Sequence, residues 1–258
     1  MKGGKTPLGY TIIEVMIVLA VSGGMFLIAA NFINGKQAKT AFTQGTNETA
    51  SQIQNVIEQV SNGKYSDIPL NCTFDGTTTT VISGTLPSQG TNPTCTFLGK
   101  LLRFSSVNKH TYKVLSLAGG RADASGGNPT LASVHPVVIT DLTNSQDIAQ
   151  QLDVAGVSVT DLSGVTYTNY YNFGFSQGLG SSSGGSFQSG AQTLSLVYSP
   201  VNLSDPATPD TNANGSLAYA QAVTVCLTDG TRYARILIGS PNNDSQLSVK
   251  LQVVTLCP

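Results

Sequence analysis

Charge is scarce in this 258-residue chain: Asp, Glu, Lys and Arg make up 10% of it, against roughly 25% in an ordinary soluble domain. Much of the surface must therefore be wetted by Ser, Thr, Asn and Gly. The 13 Lys and Arg nearly balance 14 Asp and Glu, for a net charge of -1, so there is no basic field to hold nucleic acid or another polyanion. Cysteine is sparse as well. Cys72, Cys95, Cys226 and Cys257 include no CxxC pair, which removes the usual zinc spacing. Of the two histidines, His110 falls in an expected turn and His135 precedes Pro136, neither beside a carboxylate cluster in the sequence. Residues 174–178, Gly-Phe-Ser-Gln-Gly, match a nucleophile elbow, but Leu179-Gly180 and a serine-glycine run follow where a helix is needed, and both histidines lie upstream. The expectation is no enzyme activity and no cofactor. An apolar content of 40% is too high for a disordered chain, although 27 Gly point to many loops.

What the sequence does have is an apolar run close to its start. Residues 1–9, MKGGKTPLG, carry Lys2 and Lys5 and no acid. Residues 10–33 then hold one charge, Glu14, in 24 positions. As a helix they would be about 36 Å long, enough to cross a hydrocarbon core of about 30 Å. Lys2 and Lys5 ahead of the span favour a cytoplasmic N-terminus and send the chain beyond about residue 34 outward, a tendency that Lys36 and Lys39 reduce without reversing. A secretory signal peptide has an apolar region of about 7–15 residues, and this run is too long for one. A plain signal anchor leaves Glu14 unexplained, because a carboxylate at the centre of a membrane helix costs about 2.5–3.5 kcal/mol. Near the helix N-terminus the macrodipole offsets part of that cost.

A mechanism makes the carboxylate useful. If the chain is cut between Gly9 and Tyr10, the new α-amino group lies about one helical turn from Glu14. In a staggered array of parallel helices, the carboxylate of one subunit meets the amine of its neighbour inside an apolar bundle. Removing one partner would strand the other at a cost of roughly 3–5 kcal/mol, so such a pair fixes register more than it adds stability.

A basic leader ending in Gly9, then Tyr10-Thr11-Ile12-Ile13-Glu14 and an apolar helix, resembles the class III signal of type IV pilins and of the pseudopilins of type II secretion. The resemblance covers about residues 6–35. It implies a prepilin peptidase that cleaves after Gly9 and N-methylates Tyr10, with Glu14 as the assembly glutamate. Tyr10 stands where the family usually has phenylalanine, a change that keeps the ring.

Beyond the span, Ala38, Phe42, Thr49, Ile53, Val56, Ile57 and Val60 recur at three- and four-residue steps, the spacing of one apolar stripe on a helix running to about Asn62. Gly63 suits its C-terminal cap. Gly23-Gly24 and Gly35 interrupt it, a choice between close helix packing and local melting during assembly. After residue 70 short alternating strands are expected, among them a hairpin over residues 99–117, segments 169–175 and 193–198, and a C-terminal run in which Asp229-Gly230 joins 218–227 to 232–238, followed by 247–256. Residues 119–128, 177–192 and 204–215 read as loops rich in Gly, Ser, Asn and Pro. Four cysteines in an exported domain suggest two disulfides and allow three pairings. Local closure favours Cys72 with Cys95 and Cys226 with Cys257, the latter resembling the C-terminal disulfide loop of many pilins. If Cys226 and Cys257 lie on strands separated by a third strand, their Cα atoms would be too far apart to bond. Asp210, Asn212 and Asn214, with Gly215, fit the first half of a calcium loop, but the twelfth position is Gln221, so any affinity would be low.

The fold class expected is α+β: a long N-terminal helix, half in lipid and half laid on a β-rich globular head with a C-terminal antiparallel meander. Its parts are a leader over 1–9, a helix over 10–62 with 10–33 membrane-embedded, and an extracytoplasmic head over 63–258. The resemblance implies a filament subunit, whether pilin, minor pilin or pseudopilin, serving adhesion, motility, DNA uptake or secretion. Its partners would be copies of itself or other pilins, a prepilin peptidase, a pilus assembly platform and membrane lipid. Before assembly it would be a single-pass membrane protein, and afterwards part of an extracellular pilus or a periplasmic or cell-wall pseudopilus. The alternative is a signal-anchored extracytoplasmic binding module that does not polymerise.

Overall fold

Thr11 starts the described chain as a helix cap, and the residues after it give no reason to stop for 50 positions: helix α1 spans Ile12–Ser61 with no proline inside. Its end is chemically marked. Gly63 takes a left-handed φ of 61° and returns its N–H to the Val60 carbonyl at 3.0 Å, a conformation that costs a residue without Cβ least. The computed structural model describes residues 11–63, 70–75, 77–83, 95–120, 130–177, 186–189, 192–201, 205, 208–239 and 247–257. The chain divides into two units, Met1–Thr43 and Gln44–Pro258.

In the second unit, strands β1 (Leu70–Phe74) and β2 (Thr79–Ser83) form a two-stranded ribbon. The others are β3 (Cys95–Phe104), β4 (Thr111–Gly120), β5 (Val137–Asp147), β6 (Asp153–Asp161), β7 (Thr166–Thr168), β8 (Asn172–Gln177), β9 (Ser186–Ser189), β10 (Gln192–Tyr198), β11 (Ala218–Thr228), β12 (Tyr233–Gly239) and β13 (Val249–Val254). They join in the order β13-β12-β11-β10-β8-β3-β4-β5, with β6 on β11, β7 on β6 and β9 on β10. Strand β11 is the hinge of this arrangement. It pairs with β12 along one edge, while its other edge pairs with β10 at residues 218–219 and with β6 from Ala220 onward.

The central strands are covered on both faces, which is why they read as near-continuous apolar runs. On one face Leu102, Phe104, Phe173 and Phe175 are fully buried, with Phe104 stacked on Tyr112 at 5.1 Å and on Phe173 at 5.8 Å. Residues 44–61 of α1 belong to this unit and bury Ile53, Val56, Ile57 and Val60. The Tyr112 hydroxyl lies 2.6 Å from Gln146 Oε1 and 3.2 Å from Gln52 Oε1, and Gln177 Nε2 donates to the Val60 carbonyl at 3.1 Å. On the other face Leu98, Leu101, Leu115, Leu117, Val134 and Val138 form a second cluster. A register shift between Phe97 and Gly99 lets Leu98 and Leu101 share that side.

Strands β3 and β8 approach so closely that glycine is required on each. A Cβ at Gly99 would lie 1.9 Å from the Phe175 carbonyl oxygen, and one at Gly174 would lie 2.2 Å from the Lys100 carbonyl oxygen.

The α+β expectation is corrected. Among the described residues thirteen strands stand against one long helix and two 3-10 turns, Ala149–Gln151 and Asp210–Ala213, so the architecture is mainly β. A fifty-residue helix laid half along a head is not what the fold shows, because the chain divides within the helix, at Thr43 and Gln44. The coarser expectation of a β-rich region holds, and the C-terminal run β11-β12-β13 is one end of a larger sheet. The physical reason is coverage: strands buried on both faces lose the alternating pattern by which strands are counted in a sequence. Residues 177–192, expected as a loop, include β9.

Candidate functional site

The first unit contains a helix start built from side-chain chemistry. Thr11 Oγ1 accepts the Glu14 backbone N–H at 3.3 Å, the N-cap side-chain half of a Thr-x-x-Glu capping box. Glu14 therefore sits in the first turn, where the helix dipole favours an anion. Behind it every residue from 12 to 29 is exposed. Ile12 is 81% exposed, Phe26 73% and Ile28 73%. The window Ile12–Ala29 has a mean hydropathy of 2.4 and none of it is buried. An apolar surface this large is a cover surface, matched to lipid or to other helices. It is long and apolar enough to be a membrane span or signal anchor. A Cβ at Gly23 or Gly24 would meet nothing within 4 Å, so contacts within the chain do not call for either glycine. Among the described residues no cation pairs with the Glu14 carboxylate. Gly9 and Tyr10 lie outside the described residues.

The structure brings Cys226 and Cys257 together as a disulfide, with Cα atoms 6.2 Å apart. Cys226 lies on β11 opposite Arg235 of β12, and Arg235 lies opposite Gln252 of β13. A bond between the outer strands themselves would be too long. Cys257 follows the end of β13, and Arg235 Nη2 donates to the Leu256 carbonyl at 3.1 Å, so the tail returns across β12 to reach Cys226. The side chains of Cys72, on β1, and Cys95, on β3, lie outside the described residues.

Asp210 and its neighbours form the 3-10 turn Asp210–Ala213. The Asp210 carboxylate is held by Arg103 Nη1 through one oxygen and by Lys113 Nζ at 3.3 Å through the other. Arg103 is 4% exposed, and its Nη2 also donates to the Asp205 carbonyl and, at 2.9 Å, to the Thr208 carbonyl. Asn214 Oδ1 accepts the Val138 N–H at 2.7 Å. Two of the three oxygens considered for calcium thus serve as anchors for the 205–214 loop on the sheet. The Asn212 side chain lies outside the described residues. Among the described residues no three His, Cys, Asp or Glu side chains cluster for a metal. Ser176 is a buried residue near the end of β8. His110 Nδ1 lies 2.8 Å from Asp153 Oδ1 at the surface, and His135 lies against Phe74 at 5.9 Å between ring centroids.

One arrangement was not singled out in the sequence. Tyr167, Tyr170 and Tyr198 cluster with ring centroids 5.4–6.2 Å apart. Asp161 anchors them: Oδ1 accepts from the Ser163 hydroxyl at 2.6 Å and from the Ser163 and Val165 N–H groups at 2.9 Å each, while Oδ2 accepts from the Tyr167 hydroxyl at 3.1 Å. The Ser163 hydroxyl, the two amides and the Tyr167 hydroxyl together hold the Asp161 carboxyl below the usual carboxylate range against the opposing effect of burial. The same hydrogen bond and charge push the Tyr167 phenol up, and burial first, then the neighbouring Tyr167 and Asp161, push up Tyr198. The available signals were the Asp-Leu-Ser-Gly turn at 161–164 and three tyrosines within 167–171. No protein-family model, curated protein or solved structure matches this chain.

Proposed function

We propose that this chain is the precursor of a type IV pilin-like filament subunit, assembled through its N-terminal apolar helix and performing no chemistry of its own. The observation that carries the reading is the apolar surface over Ile12–Ala29, none of it buried, with one acid, Glu14, in its first turn. Its resemblance to the prepilin signal gives the acid a purpose: cleavage after Gly9 frees an amine at Tyr10 that pairs with Glu14 of an adjoining subunit. Before assembly the N-terminus lies in the cytoplasm and the β-rich unit outside; afterwards the subunit belongs to a pilus or pseudopilus.

The test separates insertion from assembly. Glu14→Ala is expected to leave membrane insertion intact and to abolish incorporation into sheared or purified filaments. Gly9 replaced by a bulky residue is expected to retain residues 1–9, read by intact mass. Absence of the parent chain from filaments would overturn the filament reading in favour of a signal-anchored binding module that does not polymerise, and incorporation of Glu14→Ala at the parental level would overturn the role given to Glu14.

A further inference from the structure

Next to the tyrosine cluster the second unit carries an open cleft of about 460 Å³, within the range of small-ligand sites, about 300–1,000 Å³. Four separate segments build it: the turn before β5, the β6–β7 turn, the end of β10 and the start of β11. Its lining includes Tyr198 and Tyr219, Leu131, Leu162 and Leu217, together with the polar Thr130, Ser163 and Asp161.

The chemistry of this lining narrows the ligand. No Lys, Arg or His is among the described lining residues, so a phosphate, sulfate or carboxylate would be desolvated beside Asp161 without a counter-charge from them. A metal cation is disfavoured too, because Asp161 is the one acid among the described lining residues, and a hard cation takes several oxygen ligands. What the cleft offers is flat aromatic and branched apolar surface for a ligand with apolar faces, and scattered hydroxyl and carboxylate acceptors for a ligand rich in O–H donors. A pyranose ring has both. We propose that this cleft binds a neutral glycan, a ring face against Tyr219 and its hydroxyls on Asp161, Ser163 and Thr130. Asp161 acts twice: it locks the 161–165 turn that brings Leu162 and Ser163 to the cleft, and it leaves acceptor capacity on Oδ2.

The experiment uses the full chain in a detergent without a sugar headgroup, applied to a printed array of neutral, sialylated and sulfated glycans, with hits titrated by tyrosine emission. The chain has 9 Tyr and no Trp to mask the signal. Saturable binding of at least one neutral glycan is expected. Leu162→Asp and Tyr219→Ala are each expected to weaken it about tenfold or more with unchanged cooperative unfolding. Leu162 is 43% exposed, so its replacement tests the cleft without touching the core. Binding only of anionic glycans, no binding, or the parent's affinity retained in both variants would overturn the proposal. None of these outcomes reads filament incorporation, so the assembly reading stands or falls separately.

Discussion

Some charged side chains here are largely buried and held in place by their partners. Arg103 is the clearest: 4% exposed, with Asp210 12% exposed, it ties the 205–214 loop to β3. Arg103→Ala is expected to cost about 3–5 kcal/mol, because Asp210 then keeps only the more distant Lys113. Arg103→Met with Asp210→Leu should recover most of the loss, and urea midpoints of the three proteins check it. Asp161 makes a pH prediction. Its folded carboxyl is held below the ordinary range by the Ser163 hydroxyl, the amides of Val165 and Ser163 and the Tyr167 hydroxyl. The stability it contributes is therefore present above the ordinary carboxylate pKa and lost as pH falls through the depressed folded value. Urea midpoints measured from about pH 5 down to about pH 2 should fall less steeply in Asp161→Asn than in the parent, and equal slopes would refute the assignment. In the sequence Asp161 was indistinguishable from any turn aspartate. The use of Asp210 was hidden for a different reason: its partner Arg103 is 107 positions away, and local spacing carries no record of such a pair.

Elements were legible where a local signal set them. Asp229-Gly230 joins β11 to β12, with Gly230 at a φ of 89° and Asp229 Oδ1 accepting from the Thr231 and Arg232 N–H groups at 2.9 and 2.8 Å; that turn could be read directly. Strands β5, β6 and β7 were not, because their pairing partners are set by long-range register and the covered faces erase alternation. The seam between β3 and β8 is the least tolerant point of the sheet. Gly99→Ala or Gly174→Ala places a methyl carbon about 2 Å from a carbonyl oxygen of the opposite strand and is expected to destabilise by more than about 2 kcal/mol, read as a lowered denaturant midpoint with an unchanged slope. At the other end of the sheet, reduction of Cys226–Cys257 opens a 31-residue separation. It should cost about 2–4 kcal/mol, checked by chemical denaturation with and without reductant and by Cys257→Ser.

For the whole molecule, composition and one apolar run made a membrane-competent segment legible, whereas the fold class was misjudged because a long helix dominates the sequence pattern and short, doubly covered strands do not. The full chain is expected to need detergent to remain monodisperse, while a chain beginning at Gln44 should sediment as a discrete species in plain buffer; analytical ultracentrifugation of both decides this. If the shorter chain aggregates, the division at Thr43 and Gln44 does not mark a separable part. Strand β11 carries a mechanical consequence. It is laddered to β12 through seven residue pairs on one edge and to β10 and β6 on the other. A load drawn along it must shear ladders on both sides together, and cannot peel one hairpin at a time, so this strand is where the β-rich unit should resist pulling longest.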